Sequence, residues 1–522
     1  MRASICFGIL AAATGALGYL HDRGYPNGYD AAIFILAMMA VLIVLKDANS
    51  RRPRRVIRDG ERVLYDSHQT VCEISGWKWD REEFCSHWLI TGDTGVGKTS
   101  SGLNKLLISL TERYPRWGGL ILDPKGVYWK TVETLLRAAR TPDDLALLRV
   151  RSPHDPEGFM ASRRLNLIGD LSVPTTTYAQ MIVDTHAANQ SGFGGSNENF
   201  FNQRALEHIS KCFDLMRVLE LPFNLRTAYR LLSDKTQLQE AITLLAQRPD
   251  AFDHLALVKH FEVFYLNLKS EGQSEGEIAT IANFLAPYQH PAVADVFCSD
   301  HPDTLKTEDV DLGKKICLSM SEEYARERKY IFTILKLLFY QHGLRRLDLK
   351  ARDERAFWAK NLLVLVGEEF QDVVTASEGG MSDYTVSAKI REANVSLLVL
   401  TQSQTSLLPP HKNKDQAHVL TLNLRNRMIY RAADEECAKR SADFIGKRKA
   451  QKRSRSTGTK GVQYTYQEVE EHKVKTWQLR KLPSFTPILL HAGKPGRYKR
   501  TALRPLTGRE VTPIRHAQPS RN

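Results

Sequence analysis

Eight consecutive residues, Gly92 to Thr99, read GDTGVGKT. Glycine, four residues, glycine, lysine and a hydroxyl are the parts of a phosphate cradle. The glycines let successive backbone N–H groups turn toward an anion. The lysine reaches the β and γ oxygens of a nucleoside triphosphate, and the threonine hydroxyl holds Mg2+. The candidate nucleotide-binding residues are therefore Gly92, Thr94, Gly95, Val96, Gly97, Lys98, Thr99 and Ser100, with Thr99 also a candidate Mg2+ ligand. The flanks agree with this reading. HWLIT before the loop reads as a strand, and SSGLNKLLISL after it has helical spacing.

A cradle of this kind needs acids at the end of another strand. NLLVLVGEEFQD supplies them: Leu362–Val366 reads as a buried strand, and Glu368 and Glu369 follow it. One carboxylate would hold the metal's water shell and the next would polarise the attacking water. The rival reading is a solvated acidic turn. VSLLVLTQSQTSL, residues 395–407, is a further apolar strand, and its terminal amide Gln402 could sense the γ-phosphate or orient water. GGLILDPKG, residues 118–126, is a fourth strand ending in a charged turn. Strands alternating with helical stretches predict a mostly parallel α/β sheet with the ligand at the carboxyl ends. NLRNRMIYR begins a strand near the sheet edge, where ring ATPases commonly place an arginine. Arg427, or else Arg425, is thus a candidate to act on a neighbouring subunit's γ-phosphate; pairing with surface acids or DNA is the rival.

The elements around these motifs set a wider frame. The 522 residues carry 73 Lys and Arg against 59 Asp and Glu, a net charge of +14 that favours polyanionic partners. Seven scattered cysteines without a C-x-x-C pair argue against a disulfide framework or a zinc ribbon and fit a reducing cytosol. The dispersed histidines offer no metal spacing, and no nuclease constellation is visible, so nicking of DNA would belong to a partner. Two apolar runs, Ser4–Leu20 and Ala31–Leu45, flank a polar turn and read as a transmembrane hairpin, with a signal peptide or a buried helical hairpin as rivals. Lys46, Arg51, Arg52, Arg54, Arg55 and Arg58 follow, which places the remainder on the cytoplasmic side. Between about Asn197 and Asp303 the pattern becomes helical, with Leu206, Ile209, Phe213 and Met216 stepping by three and four. KKICLSM then reads as a strand and EYARERKYIFTILKLLFYQHGLRRL as a long helix. Gly446–Gly461 is a dense basic run that could meet DNA phosphates or line a channel, against the plainer reading of a solvated mobile loop. The polar, basic end reads as disordered.

Together these segments resemble the type IV secretion coupling proteins, the membrane-anchored ATPases of conjugation and effector export. HWLITGDTGVGKTS, GGLILDPKGVYW, RLNLIGD, VLVGEEFQ, LTQSQTSL, RNRMIYRAADEECAKRSADFIGK and KVKTWQLRKLPSFTPILLHAGKPG carry the resemblance. It implies a RecA-like P-loop motor domain with a mostly parallel sheet, an inserted all-α domain and an N-terminal two-helix transmembrane anchor. The corresponding divisions are 1–50 for the anchor, 51–196 and 304–503 for the two parts of the nucleotide-binding domain, 197–303 for the helical insertion and 504–522 for a disordered tail. ATP with Mg2+, assembly into a homo-hexamer at the bacterial inner membrane, and hydrolysis coupled to substrate transfer are implied as well. The implied partners are single-stranded DNA with an attached relaxase, or effector proteins, and the ATPases and inner-membrane subunits of the secretion channel. By position, Glu369 matches the catalytic base, and Glu368 stands where the family usually shows aspartate, as a water-mediated Mg2+ holder. Gln402 matches the glutamine after the next strand, and Asp123 and Lys125 match a turn that supports the nucleotide. Three functions compete: a DNA-transfer motor, an effector-recruiting ATPase, and a nucleotide-binding scaffold without turnover. Intact Lys98, Thr99 and Glu369 argue against the last. Chromosome-partitioning DNA translocases are the alternative at the level of fold, but the two-run anchor and the helical insertion fit coupling proteins better.

Overall fold

The computed structural model describes residues 54–189, 196–248, 250–266, 271–301, 304–377, 380–408, 414–458 and 461–506. The expected membrane hairpin, residues 1–50, lies outside them, as does the tail from residue 507. Among the described residues no helix is long and apolar enough to cross a membrane.

The chain divides into two compact units, 1–68 and 69–522. In the first, β1 (Val56–Asp59) and β2 (Arg62–Asp66) form an antiparallel hairpin. In the second, β3 (Cys72–Ile74) and β4 (Trp77–Trp79) pair as a small hairpin. The main strands are β5 (Trp88–Thr91), β6 (Gly118–Leu122), β7 (Leu145–Arg149), β8 (Lys315–Ser319), β9 (Leu363–Gly367), β10 (Val395–Thr401) and β11 (Asn426–Ile429). A long hairpin follows, β12 (Lys447–Gly458) with β13 (Gly461–His472), and then β14 (Ile488–Leu490) and β15 (Tyr498–Arg500). One nine-stranded sheet runs β15-β14-β11-β5-β10-β9-β6-β8-β7. Its seven central and far strands are parallel, and β14 and β15 run against them at one edge.

The apolar runs explain this sheet. Every residue of β5, β6, β9 and β10 is buried, as a parallel sheet covered on both faces requires. Alternate side chains serve opposite cores. Leu89, Leu365, Leu397 and Val399 belong to one cluster; Trp88, Ile90, Val364, Val366 and Leu398 belong to the other.

The first core is shared with the helices. Between β7 and β8 the described chain from Thr175 to Phe297 contains seven α-helices and no strand: α1 (Thr175–Asn189), α2 (Ser196–Val218), α3 (Leu225–Ser233), α4 (Lys235–Ala246), α5 (Leu255–Phe261), α6 (Glu271–Leu285) and α7 (Pro291–Phe297). Ile209, Phe213 and Met216 are fully buried at the predicted spacing. Helix formation begins at Thr175, earlier than the expected 197, because α1 is buried on most sides and lacks the amphipathic stripe that marks α2. Bridges from Leu165 to Leu305 and from Asn166 to Cys298 tie the two ends of this segment together. The long predicted helix is α8 (Ala325–Arg352), which packs into the same core.

Two further expectations change. The basic run from Gly446 is an ordered antiparallel arm, β12 with β13, twelve residues a side. Residues 504–506 are not tail: Leu503 is buried, and the Leu506 amide donates to the Ser100 carbonyl at 2.9 Å.

Candidate nucleotide site

β5 delivers the chain to a turn over Gly92–Gly97, and a π-helical turn, Lys98–Leu103, leads into the helix Asn104–Arg113. Gly92, Gly95 and Gly97 have φ of 154°, 76° and 100°, and the last two lie in the left-handed region that glycine favours. At Gly97 the surroundings are as restrictive as the backbone. A Cβ there would sit 2.4 Å from the Phe485 ring. Phe485 itself holds a left-handed φ of 60°, and its amide donates to the Val96 carbonyl at 2.9 Å. The closing segment 485–506 is thus laid directly against the loop.

The reactive side chains meet at the carboxyl ends of the strands. Lys98 Nζ donates to the carbonyls of Gly92 (2.7 Å) and Asp93 (3.0 Å). Burial lowers its pKa, while Glu369, Asp93 and Glu368 act in the other direction. Thr99 Oγ1 donates to Glu368 Oε1 at 2.7 Å, joining the end of β5 to the end of β9 across β10. Burial pushes the Glu368 carboxyl up to about 7; the Thr99 hydrogen bond opposes this, and the nearby Asp123 adds to it. A hydroxyl and a carboxylate are hard oxygen donors of the kind Mg2+ takes. The pair therefore fits the role expected of Thr99 and Glu368.

Glu369 sits at φ 45°, an uncommon conformation for a side-chain-bearing residue. Gln371 Nε2 donates to its Oε2 at 2.8 Å, and Gln371 Oε1 accepts from Thr401 Oγ1 at 2.9 Å. The loop beyond is pinned from behind. Asp383 Oδ2 accepts from Lys336 Nζ (2.7 Å) and from the Thr375 amide (2.6 Å), Oδ1 accepts from Tyr340 Oη (2.7 Å), and the Lys336–Asp383 pair is fully buried. This ties Thr375 and Asp383 to α8.

Gln402 is exposed at the end of β10, and its carbonyl accepts from the Gly92 amide at 3.3 Å. The amide side chain therefore stands beside the loop. Asp123 acts through the turn. Its carboxylate is buried and accepts from the amides of Lys125 (3.0 Å), Val127 (2.7 Å) and Tyr128 (2.7 Å), so it builds the turn. Lys125 is exposed on that turn.

Arg427 does not belong to the site. It is 2% exposed, its guanidinium lies 3.2 Å over the Phe444 ring, and it donates to the Thr421 carbonyl at 2.6 Å and to Gln404 Oε1 at 3.4 Å. A side chain enclosed in this way cannot reach a neighbour's phosphate. Arg425 is exposed but precedes β11, at the end of the strands opposite the phosphate loop. The arginine that does reach the loop is Arg431, just past β11, which pairs with Asp93 at 3.4 Å. Nothing in the spacing separates Arg431 from Arg427. The difference lies in strand register, which puts one at the strand's start and the other past its end.

This is a RecA-like α/β architecture with a helical part. Residues 381–484 match the family model described as the TraM recognition site of TraD and TraG. Among curated proteins nothing matches the chain. Among solved structures, the unbound bacterial conjugative coupling protein TrwBdeltaN70 matches with a TM-score of 0.58 at 13% identity, covering 84% of this chain and 90% of that one. The plasmid coupling protein TrwB in complex with ADP and Mg2+ matches with 0.58 at 12%, covering 88% and 96%. TrwB in complex with the GTP analogue GDPNP gives 0.57 at 12%, covering 87% and 96%. At such identities the likeness is one of fold. The family match is confined to residues 381–484, about a fifth of the chain.

Proposed function

We propose that the chain is a membrane-anchored, hexameric ATPase that couples single-stranded DNA and its attached relaxase to a type IV secretion channel and drives their transfer. The observation that carries this reading is the Thr99–Glu368 hydrogen bond beside Lys98, which brings the phosphate loop and the acidic strand end together. Lys98 would neutralise the β and γ oxygens, with Thr94, Gly95, Val96, Gly97 and Ser100 forming the cradle. Thr99 and Glu368 would hold Mg2+, which when bound supplies charge that stabilises the phosphates. Glu369, held by Gln371, would take the proton of the attacking water, and Gln402 would orient that water. In this reading 1–50 anchors the chain, the sheet-bearing parts form the motor, and the helical insertion together with the basic surface meets substrates and channel subunits. The match to a protein-recognition family over residues 381–484 favours a second reading, recruitment of protein effectors.

The test is turnover by the full chain in lipid vesicles, with and without single-stranded DNA. Stimulation by DNA supports the motor. Turnover indifferent to DNA supports the effector reading. No turnover with Lys98 intact leaves a nucleotide-binding scaffold.

A further inference from the structure

The arm formed by β12 and β13 has no core to belong to. Gln451, Lys452, Arg453 and Ser454 on one strand, and residues Tyr464 to Glu468 on the other, are all exposed, so neither face of the ribbon is covered there. An isolated two-stranded hairpin is marginal in water. Its composition indicates what covers it. Across the 24 residues 444–467 there are seven Lys and Arg and no acid.

The arm is divided along its length. At its base the cations are answered: Arg448 pairs with Glu471 at 2.9 Å and Lys449 with Glu468 at 2.8 Å. Beyond Glu468 the cross-strand partners change type. Lys452 faces Gln467 and Arg453 faces Tyr466. Tyr464 and Tyr466 are 44% and 63% exposed, two residues apart and so on one face, and the Arg453 guanidinium lies 4.0 Å over the Tyr464 ring. Exposed aromatic rings interleaved with cations are the platform on which unpaired bases stack while their phosphates are neutralised. A duplex, whose bases are already stacked, offers those rings nothing.

We infer that the part of this arm formed by Gln451–Ser454 and Tyr464–Glu468 is a single-strand nucleic-acid site, with Tyr464 and Tyr466 stacking bases and Lys452 and Arg453 holding the backbone. The inference rests on the DNA reading above and gives it an address. The arm's base is tied to the segment that closes the phosphate loop: Lys473 Nζ donates to the Gly496 carbonyl at 2.9 Å, between β14 and β15.

The experiment measures binding of the full chain to fluorescently labelled thirty-nucleotide oligo(dT) and to a duplex of equal length, across a salt series. Tyr464→Ala with Tyr466→Ala should weaken oligo(dT) binding roughly 5- to 150-fold per lost stack. Duplex binding and the affinity for a fluorescent ATP analogue should be unchanged. Tyr464→Phe with Tyr466→Phe should bind as the parent does, which separates loss of the rings from misfolding. Lys452→Gln with Arg453→Gln should reduce the salt slope by about 1.4. If the parent binds oligo(dT) and the alanine pair binds it equally well, or loses duplex equally, the inference of a single-strand stacking site is overturned. If the parent binds no DNA even at low salt, the DNA reading itself falls, and this one with it.

Discussion

The phosphate loop and the β12–β13 arm are both polar and both lysine-bearing, yet they are built on opposite plans. Around the loop the polar groups named above are paired inside the protein. Lys98 is held by two carbonyls, Thr99 by Glu368, and Glu369 by Gln371, while Phe485 closes the turn from above. At Gln451–Ser454 and Tyr464–Glu468 of the arm the side chains reach into solvent on both faces. A preorganised site pays its ordering cost during folding and is ready for one ligand geometry. An open ribbon defers that cost and tolerates many sequences.

The comparison can be tested from its strongest side downward. Glu369→Gln should lower turnover about 10²–10⁴-fold, and Lys98→Ala by about 10²–10³-fold or more, with oligo(dT) affinity untouched in both. Steady-state rates beside binding curves check this, and a parallel loss of DNA affinity would erase the division between the two regions.

Asp383→Asn should come next. It strands the buried Lys336 ammonium, and breaking such a pair costs about 3–5 kcal/mol. Denaturant unfolding reads that loss, and Glu369 should lose its position with it.

Glu368→Gln gives a pH signature. The carboxyl is raised to about 7 from an ordinary 4.5, so the native state holds the proton more tightly than the unfolded chain. The stability this contributes is present below about pH 4.5 and is lost as pH rises through 7. Without nucleotide, the glutamine variant should therefore melt above the parent at pH 8 and level with it near pH 4.5. Mg2+ must compete with that proton, so Mg2+ dependence of turnover in the parent should steepen as pH falls below 7.

The smallest effect belongs to the arm's base. Arg448→Gln and Lys449→Gln remove exposed ion pairs, each worth about 0–1 kcal/mol. Melting temperature should hardly move, and oligo(dT) binding should fall less than in Lys452→Gln with Arg453→Gln. A larger loss from the base would shift the proposed contact inward.

What was legible in the sequence was local. The loop, its strand and its helix are contiguous, and the acids follow directly on an apolar run, so Lys98, Thr99, Glu368 and the strand ends could be placed by spacing alone. Arg427 could not be placed, because its burial depends on Phe444 and Thr421 and on the register of β11 against β5. Asp123 was placed by resemblance in a turn supporting the nucleotide site, and the three amides it accepts from show how it shapes that turn. The arm looked like a loop because charge and small residues conceal a two-residue alternation that no core enforces. α1 lacked an amphipathic stripe because burial on most sides removes one.

The closing segment carries a consequence for how the molecule is made. Gly97 meets Phe485, and Ser100 meets Leu506, across nearly four hundred residues of intervening chain. Contacts of such sequence separation form late and slow the search for the native state. During synthesis, the N-terminal strand and its glycine turn leave the ribosome long before the residues that cap them exist. A nascent chain thus carries an uncapped turn through most of its translation.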